Sequence, residues 1–128
     1  MTQPNENFMK NYKPIVDALM DKQALEVSVH DLSEVSGFTE AFVVAIARSD
    51  LHARTLRDTA EEFLDKIKVP YNVEGSDSSK WCLVDAGHLV INILSKEGSN
   101  YYRLDSLWGD APNEKFTDES DPAEELFK

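Results

Sequence analysis

Residues Glu40 to Arg48 read EAFVVAIAR, an almost wholly apolar run rich in β-branched side chains. A strand with one solvated face alternates apolar and polar residues. This run does not alternate, so it is expected to be a central strand covered on both faces. The rest of the chain has to supply those covers.

The flanking segments read as the pieces of a mixed fold. Phe8, Tyr12, Ile15, Val16, Leu19 and Met20 recur at three- and four-residue steps, which places one apolar stripe on a helix ending near Lys22. Pro14 removes a backbone donor and crowds the preceding turn, so that helix effectively begins near Tyr12 or is kinked there. LEVSVHDL, from Leu25 to Leu32, sets Val27 and Val29 against Glu26, Ser28 and His30, the pattern of a half-buried strand with a solvated face. After the central run, Ser49 and Asp50 offer an N-cap, and Leu56, Ala60, Phe63, Leu64 and Ile67 form a second helical stripe through about Lys68, stopped by Pro70.

A short strand is expected around Tyr71 to Glu74. WCLVDA (Trp81 to Ala86) and HLVINILS (His88 to Ser95) then pair as an antiparallel hairpin around Gly87. Lys96 to Gly98 turn the chain into YYRLDSLW, a helical segment with Tyr101, Leu104 and Trp108 on one side. The order is α-β-β-α-β-β-β-α. The fold class is α/β (α+β), a mixed five-stranded sheet flanked by helices. Residues 1–108 form one globular domain, as a chain of 128 residues suggests.

Charge is unevenly placed. Of the net −11, the segment from Gly109 to Lys128 carries −5. With two prolines and no apolar period, residues 109–128 are expected to be an acidic, mostly disordered tail. Free DNA or RNA is a poor partner for this chain, because its basic residues are scattered among a larger number of acids. A basic protein surface suits it better. No apolar run approaches the ~20 residues needed to span a bilayer. The start, MTQPNENFMK, lacks the basic and apolar regions of a secretory signal, which makes the cytoplasm the expected compartment.

No catalytic, cofactor or metal set emerges. His30, His52 and His88 are not at ligand spacing; His30 and His88 read as surface-facing strand residues and His52 as a cap or first-turn residue. VEGSDSS lacks the second glycine and the Lys-Ser/Thr ending of a phosphate loop, so Gly75 reads as a left-handed turn position. The lone Cys82 alternates away from Trp81 and reads as inert core. Asp85 shares a face with Trp81 and Leu83 just before a tight turn. There it can accept backbone N–H groups, offer an acceptor to a partner, or do both. Leu104 and Leu107 suit a core, whereas Tyr101, Tyr102 and Trp108 divide between core and partner contact.

NVEG (Asn72 to Gly75), Trp81, LVDAGHLVINIL (Leu83 to Leu94) and the closing YYRLDSLW together resemble the ribosomal silencing factor family, which is related to plant Iojap. TEAFVVAIARSDLHA is similar to an earlier stretch of the same family, and the likeness covers about Asp17 to Asp110. The resemblance implies a nucleotidyltransferase-like core without enzymatic activity. It also implies a translational repressor of the cytoplasm that binds the large ribosomal subunit at ribosomal protein L-fourteen and sterically blocks joining of the small subunit. The positions it carries over as partner-binding are Trp81, Asp85, Tyr101, Tyr102, Leu104, Asp105 and Trp108. Three residues depart from the family pattern: His88 stands where an acid is usual, Asn92 where a histidine is usual and Leu51 where an arginine is common. The rival readings are a nucleotidyltransferase-type enzyme and a dimeric adaptor or ribosome-assembly factor without anti-association activity.

Overall fold

The computed structural model describes residues 3–34, 39–75, 80–98 and 111–118. Its sheet has six strands: β1 (Glu26–Asp31), β2 (Ala41–Ala47), β3 (Asn72–Glu74), β4 (Trp81–Asp85), β5 (Leu89–Ser95) and β6 (Asn113–Thr117), in the spatial order β3-β4-β5-β2-β1-β6. Only β2 and β5 are parallel, from Ala41↔Leu89 to Ala47↔Ser95; the other neighbours are antiparallel. A parallel pair requires a crossover, and the chain makes it through helix α2 (Asp50–Lys66) and the strands that follow. Helix α1 (Glu6–Asp21) precedes the sheet and packs beside α2 and β1.

Local chemistry sets the helix ends. Asn5 caps α1 by accepting the Phe8 N–H at 2.9 Å, and Ser49 caps α2 by accepting the His52 N–H at 3.1 Å. Both helices close with a left-handed residue just past the C-cap, Gln23 (φ 65°) and Lys68 (φ 59°). Pro14 lies inside α1, which starts at Glu6 rather than near Tyr12. His52 also ties the two helices together. Its Nδ1 accepts the Arg48 N–H at 2.9 Å and its Nε2–H donates to the Lys22 carbonyl at the end of α1 at 2.6 Å.

The main core lies between the helices and one sheet face. Phe8, Ile15, Val16 and Leu19 of α1 and Leu56 and Leu64 of α2 meet Val27, Val29, Val43, Ala45, Ile91 and Ile93. Ile67, expected on the α2 stripe, is instead 50% exposed just past the helix end. The opposite sheet face holds a second cluster of Leu32, Phe42, Val44, Val90, Leu94 and Ala111, with Trp81 and Leu83 packed against it. Burial on that face corrects the expectation for β1. Its expected solvated face is closed: Ser28 is 1% and His30 2% exposed, with the His30 ring 3.2 Å from the Ser28 hydroxyl and edge-on to Phe42.

The sixth strand is the other departure, since five were expected and residues 109–128 were read as a mostly disordered tail. β6 falls within that span. β1 would otherwise present a row of unpaired backbone groups, and β6 completes it from Glu26↔Thr117 to His30↔Asn113. Phe116 packs on the main core opposite Val27, under the Lys13 ammonium at 5.3 Å. An Arg48–Asp118 ion pair at 2.8 Å and the Asp118 N–H to Leu25 carbonyl bond fasten the far end. Residues 119–128 lie outside the described residues.

Tyr12 gives this core a signature in alkali. Burial, reinforced by the Glu40 and Asp31 carboxylates, pushes its hydroxyl up to about 12. The folded state therefore holds the proton while the unfolded chain, near 10, releases it. The stabilisation is complete below the unfolded value and is lost as pH rises through the folded one. We expect the melting temperature of the wild type to fall more steeply between pH 10 and 12 than that of Tyr12→Phe. Parallel curves for the two proteins would remove Tyr12 as the cause.

Candidate functional site: the outer face of the β4–β5 hairpin

β4 alternates cleanly. Cys82 and Val84 are buried toward the helices, while Trp81 and Leu83 are half-buried and Asp85 exposed on the other face. Trp81 and Asp85 thus stand on one surface, roughly 13 Å apart at ~3.3 Å per residue. Leu83 lies between them.

The hairpin turn is built as expected. Asp85 Oδ1 accepts the Gly87 N–H at 2.8 Å, and Gly87 takes φ +84°, where an L side chain is strained. An ionised carboxylate has about four acceptor positions, so this bond leaves Asp85 able to meet a further donor. It borders an open recess of about 420 Å³ lined by Pro70, Tyr71, Asn72, Ala86 and Gly87. His88 is exposed within the turn, its ring 6.3 Å from that of Tyr12.

A second recess, of about 210 Å³, is lined among the described residues by Glu74, Gly75, Trp81 and Leu83. Gly75 adopts φ +74°, and a Cβ there would come within 2.7 Å of the Trp81 carbonyl oxygen. The glycine therefore answers both to the left-handed turn read from the sequence and to close approach of two backbones. The Trp81 indole N–H donates to Asn92 Oδ1 at 2.9 Å, and Asn92 Nδ2–H donates to the Val43 carbonyl at 3.3 Å. Asn92 is fully buried. Its signal in the sequence was one amide inside the apolar run HLVINILS, and the reading did not count it among the site residues.

Of the expected site residues, the structure brings Trp81 and Asp85 onto one face. Tyr101, Tyr102, Leu104, Asp105 and Trp108 lie outside the described residues, as does the helical segment expected for YYRLDSLW; residues 96–98 before it are helical. Leu51 is 73% exposed at the start of α2.

Cys82, on the opposite face, is chemically quiet. Burial pushes its thiol above the ordinary value and the Glu61 carboxylate adds to that, with the Arg57 guanidinium opposing. A thiol reagent at neutral pH is expected to label it only after denaturation. Full labelling of the native protein at the rate of a free thiol would contradict this burial.

Among the described residues no helix is long and apolar enough to cross a membrane. No group of three or more His, Cys, Asp or Glu side chains among them is placed to hold a metal ion. The β4 side of this face is apolar and half-buried, with acidic groups at Glu74 and Asp85, an arrangement that can seat a protein.

Comparison with known proteins identifies the family. The sequence profile of a family described as ribosomal silencing factor during starvation matches residues 5–127. The chain is 34% identical over 96 residues to ribosomal silencing factor RsfS of Bacillus subtilis, covering 72% of this chain and 79% of that protein. It is 33% identical over 113 residues to RsfS of Zymomonas mobilis, covering 85% and 78%. A crystal structure of a Chromobacterium violaceum protein superposes with a TM-score of 0.73 at 26% identity, covering 79% of this chain and 85% of that one. A profile match over nearly the whole chain, joined to these two relatives, shows that the chain belongs to the ribosomal silencing factor family.

Proposed function

We propose that this protein is a translational repressor that binds the large ribosomal subunit through ribosomal protein L-fourteen and blocks joining of the small subunit by occupying the joining face. The observation that carries the reading is the outer face of β4, where half-buried Trp81 and Leu83 stand beside exposed Asp85 in a chain of net charge −11. Aromatic and leucine side chains desolvate well at the centre of an interface, while a carboxylate at its edge meets Lys or Arg of a basic ribosomal protein. Tyr101, Tyr102, Leu104, Asp105 and Trp108 complete the contact set in this proposal. The family names point to a ribosome-associated regulator rather than an enzyme. A nucleotidyltransferase-like core would here serve as a scaffold only, since fold by itself does not confer activity. The cytoplasm, where subunits join, is the compartment this role requires.

The test is subunit association. Purified large subunits are incubated with excess protein, small subunits are added, and the joined ribosomes are resolved by sedimentation. The expected result is co-sedimentation with the large subunit and a loss of joined particles. Folded protein that leaves joining unchanged at high excess overturns the repressor reading. Binding without any effect on joining would assign the chain to ribosome assembly instead.

A further inference from the structure

Asn92 interrupts an otherwise apolar strand at a point where the side chain has no exposure to solvent. Val44, Val90 and Leu94 share its sheet face, and apolar groups offer an amide nothing. A buried primary amide is tolerated only when both of its ends are bonded. Both are: Oδ1 takes the Trp81 indole N–H and Nδ2–H meets the Val43 carbonyl. Val43 belongs to β2, which pairs with β1 on one side and β5 on the other, so the amide is anchored at the middle of the sheet.

The register shows what this anchoring does. Leu83 is directly opposite Asn92, and Trp81 is opposite Leu94, so Trp81 and Asn92 are diagonal neighbours across the β4–β5 pair. A diagonal partner is within reach of an aromatic side chain. Packing on Leu94 and Leu83 is non-directional, whereas a hydrogen bond has a preferred line. The indole has a single N–H, and its bond to a fixed acceptor restricts the ring plane.

We infer that Asn92 is the positioning residue of this face: it holds the Trp81 indole as a preformed wall of the recess shared with Gly75 and Leu83. Asn92 itself touches no partner, being sealed in the sheet. The inference rests on the ribosome-docking reading and adds regulation of the same site by pre-organisation. A ring already held in its bound rotamer loses less freedom on association than a mobile one.

A double-mutant cycle with purified large subunits tests it, using Asn92→Leu, Trp81→Phe and the double variant. Asn92→Leu is expected to weaken binding about tenfold when the indole is present and less than about twofold in the Trp81→Phe background, which has no N–H to position. An Asn92 that served the fold alone would weaken both backgrounds equally, and that result overturns the inference. A second readout needs no ribosome. In the isolated protein labelled at the tryptophan nitrogens, the Trp81 indole N–H should exchange with solvent faster in Asn92→Leu, and an unchanged rate also overturns the inference. If Asn92→Leu does not fold, Asn92→Val, a smaller side chain suited to strands, takes its place. Wild-type protein that fails to bind the subunit sinks the docking reading itself, whereas strong binding with no coupling between the two positions sinks only the role of Asn92.

Discussion

On the proposed docking, Trp81→Ala is expected to bind large ribosomal subunits about a hundredfold more weakly than the wild type while keeping its fold. Truncating an aromatic anchor at an interface centre costs ~2–4 kcal/mol, and every 1.4 kcal/mol is a factor of ten. The ring is only half-buried in the free protein. Its removal exposes the edge of the Leu94 cluster but leaves the helix-facing core, with Val84, Ile91 and Ile93, untouched. Circular dichroism should therefore remain that of the wild type while the sedimentation profile changes. Asp85→Asn makes the graded comparison. It keeps an acceptor for the Gly87 N–H and loses the charge, so a smaller decline of about 1 kcal/mol is expected, and it should shrink further as salt is raised. A folded Trp81→Ala protein that binds as tightly as the wild type would remove this face from the interface.

The second large effect is on stability, at Gly98. A Cβ built there would overlap the Lys80 carbonyl oxygen and lie 2.9 Å from the carbonyl carbon and 3.1 Å from the Lys80 Cα. These are backbone atoms. Lys80 cannot swing aside as a side chain tip could, because its carbonyl also accepts the Ser95 N–H at 3.3 Å, while the Ser95 hydroxyl accepts the Gly98 N–H at 2.9 Å. Gly98→Ala must push the start of β4 away from the end of β5, and Trp81 is the next residue. We expect a loss of about 3 kcal/mol, at the upper end of overpacking penalties, measured as a lower urea midpoint with unchanged m. Gly87→Ala is the internal control. Nothing lies within 4 Å of a Cβ there, so only the left-handed φ of +84° is penalised, at roughly 1 kcal/mol. Gly75→Ala combines a φ of +74° with a 2.7 Å approach to the Trp81 carbonyl oxygen and should fall nearer to Gly98→Ala. If Gly98→Ala proves no more harmful than Gly87→Ala, the close approach of the two backbones is not real.

Elements that announce themselves by periodicity came out of the chain readily. The doubly covered β2, the α2 stripe through Leu56, Ala60 and Leu64, and the β4–β5 hairpin turning on Gly87 all depend on patterns only a few residues long. The row on the far side of β4 was legible for the same reason, since alternation alone puts Trp81, Leu83 and Asp85 on one face of the strand. Pro14 misled because its fixed φ is itself helical, and the Asn5 cap lets α1 begin two turns before it.

What the chain order by itself determined, then, was the identity of most strands and helices, the central place of β2, and which side of β4 looks outward. Tertiary structure alone decided the rest. NEKFT has one apolar residue and a net-acidic setting, so nothing local marks it as a strand; it becomes β6 because β1 has an open edge and Phe116 finds the core beside Val27. Ser28 and His30 alternate like surface residues, yet they are buried on the sheet face that also carries the Phe42, Val44, Val90 and Leu94 cluster. Asn92 reads as a misplaced amide until β4 lies beside β5 and brings the Trp81 N–H to it. Hydrophobic period is carried by near neighbours along the chain, whereas edge pairing, second-face burial and the bonding of a lone buried amide depend on residues tens of positions away.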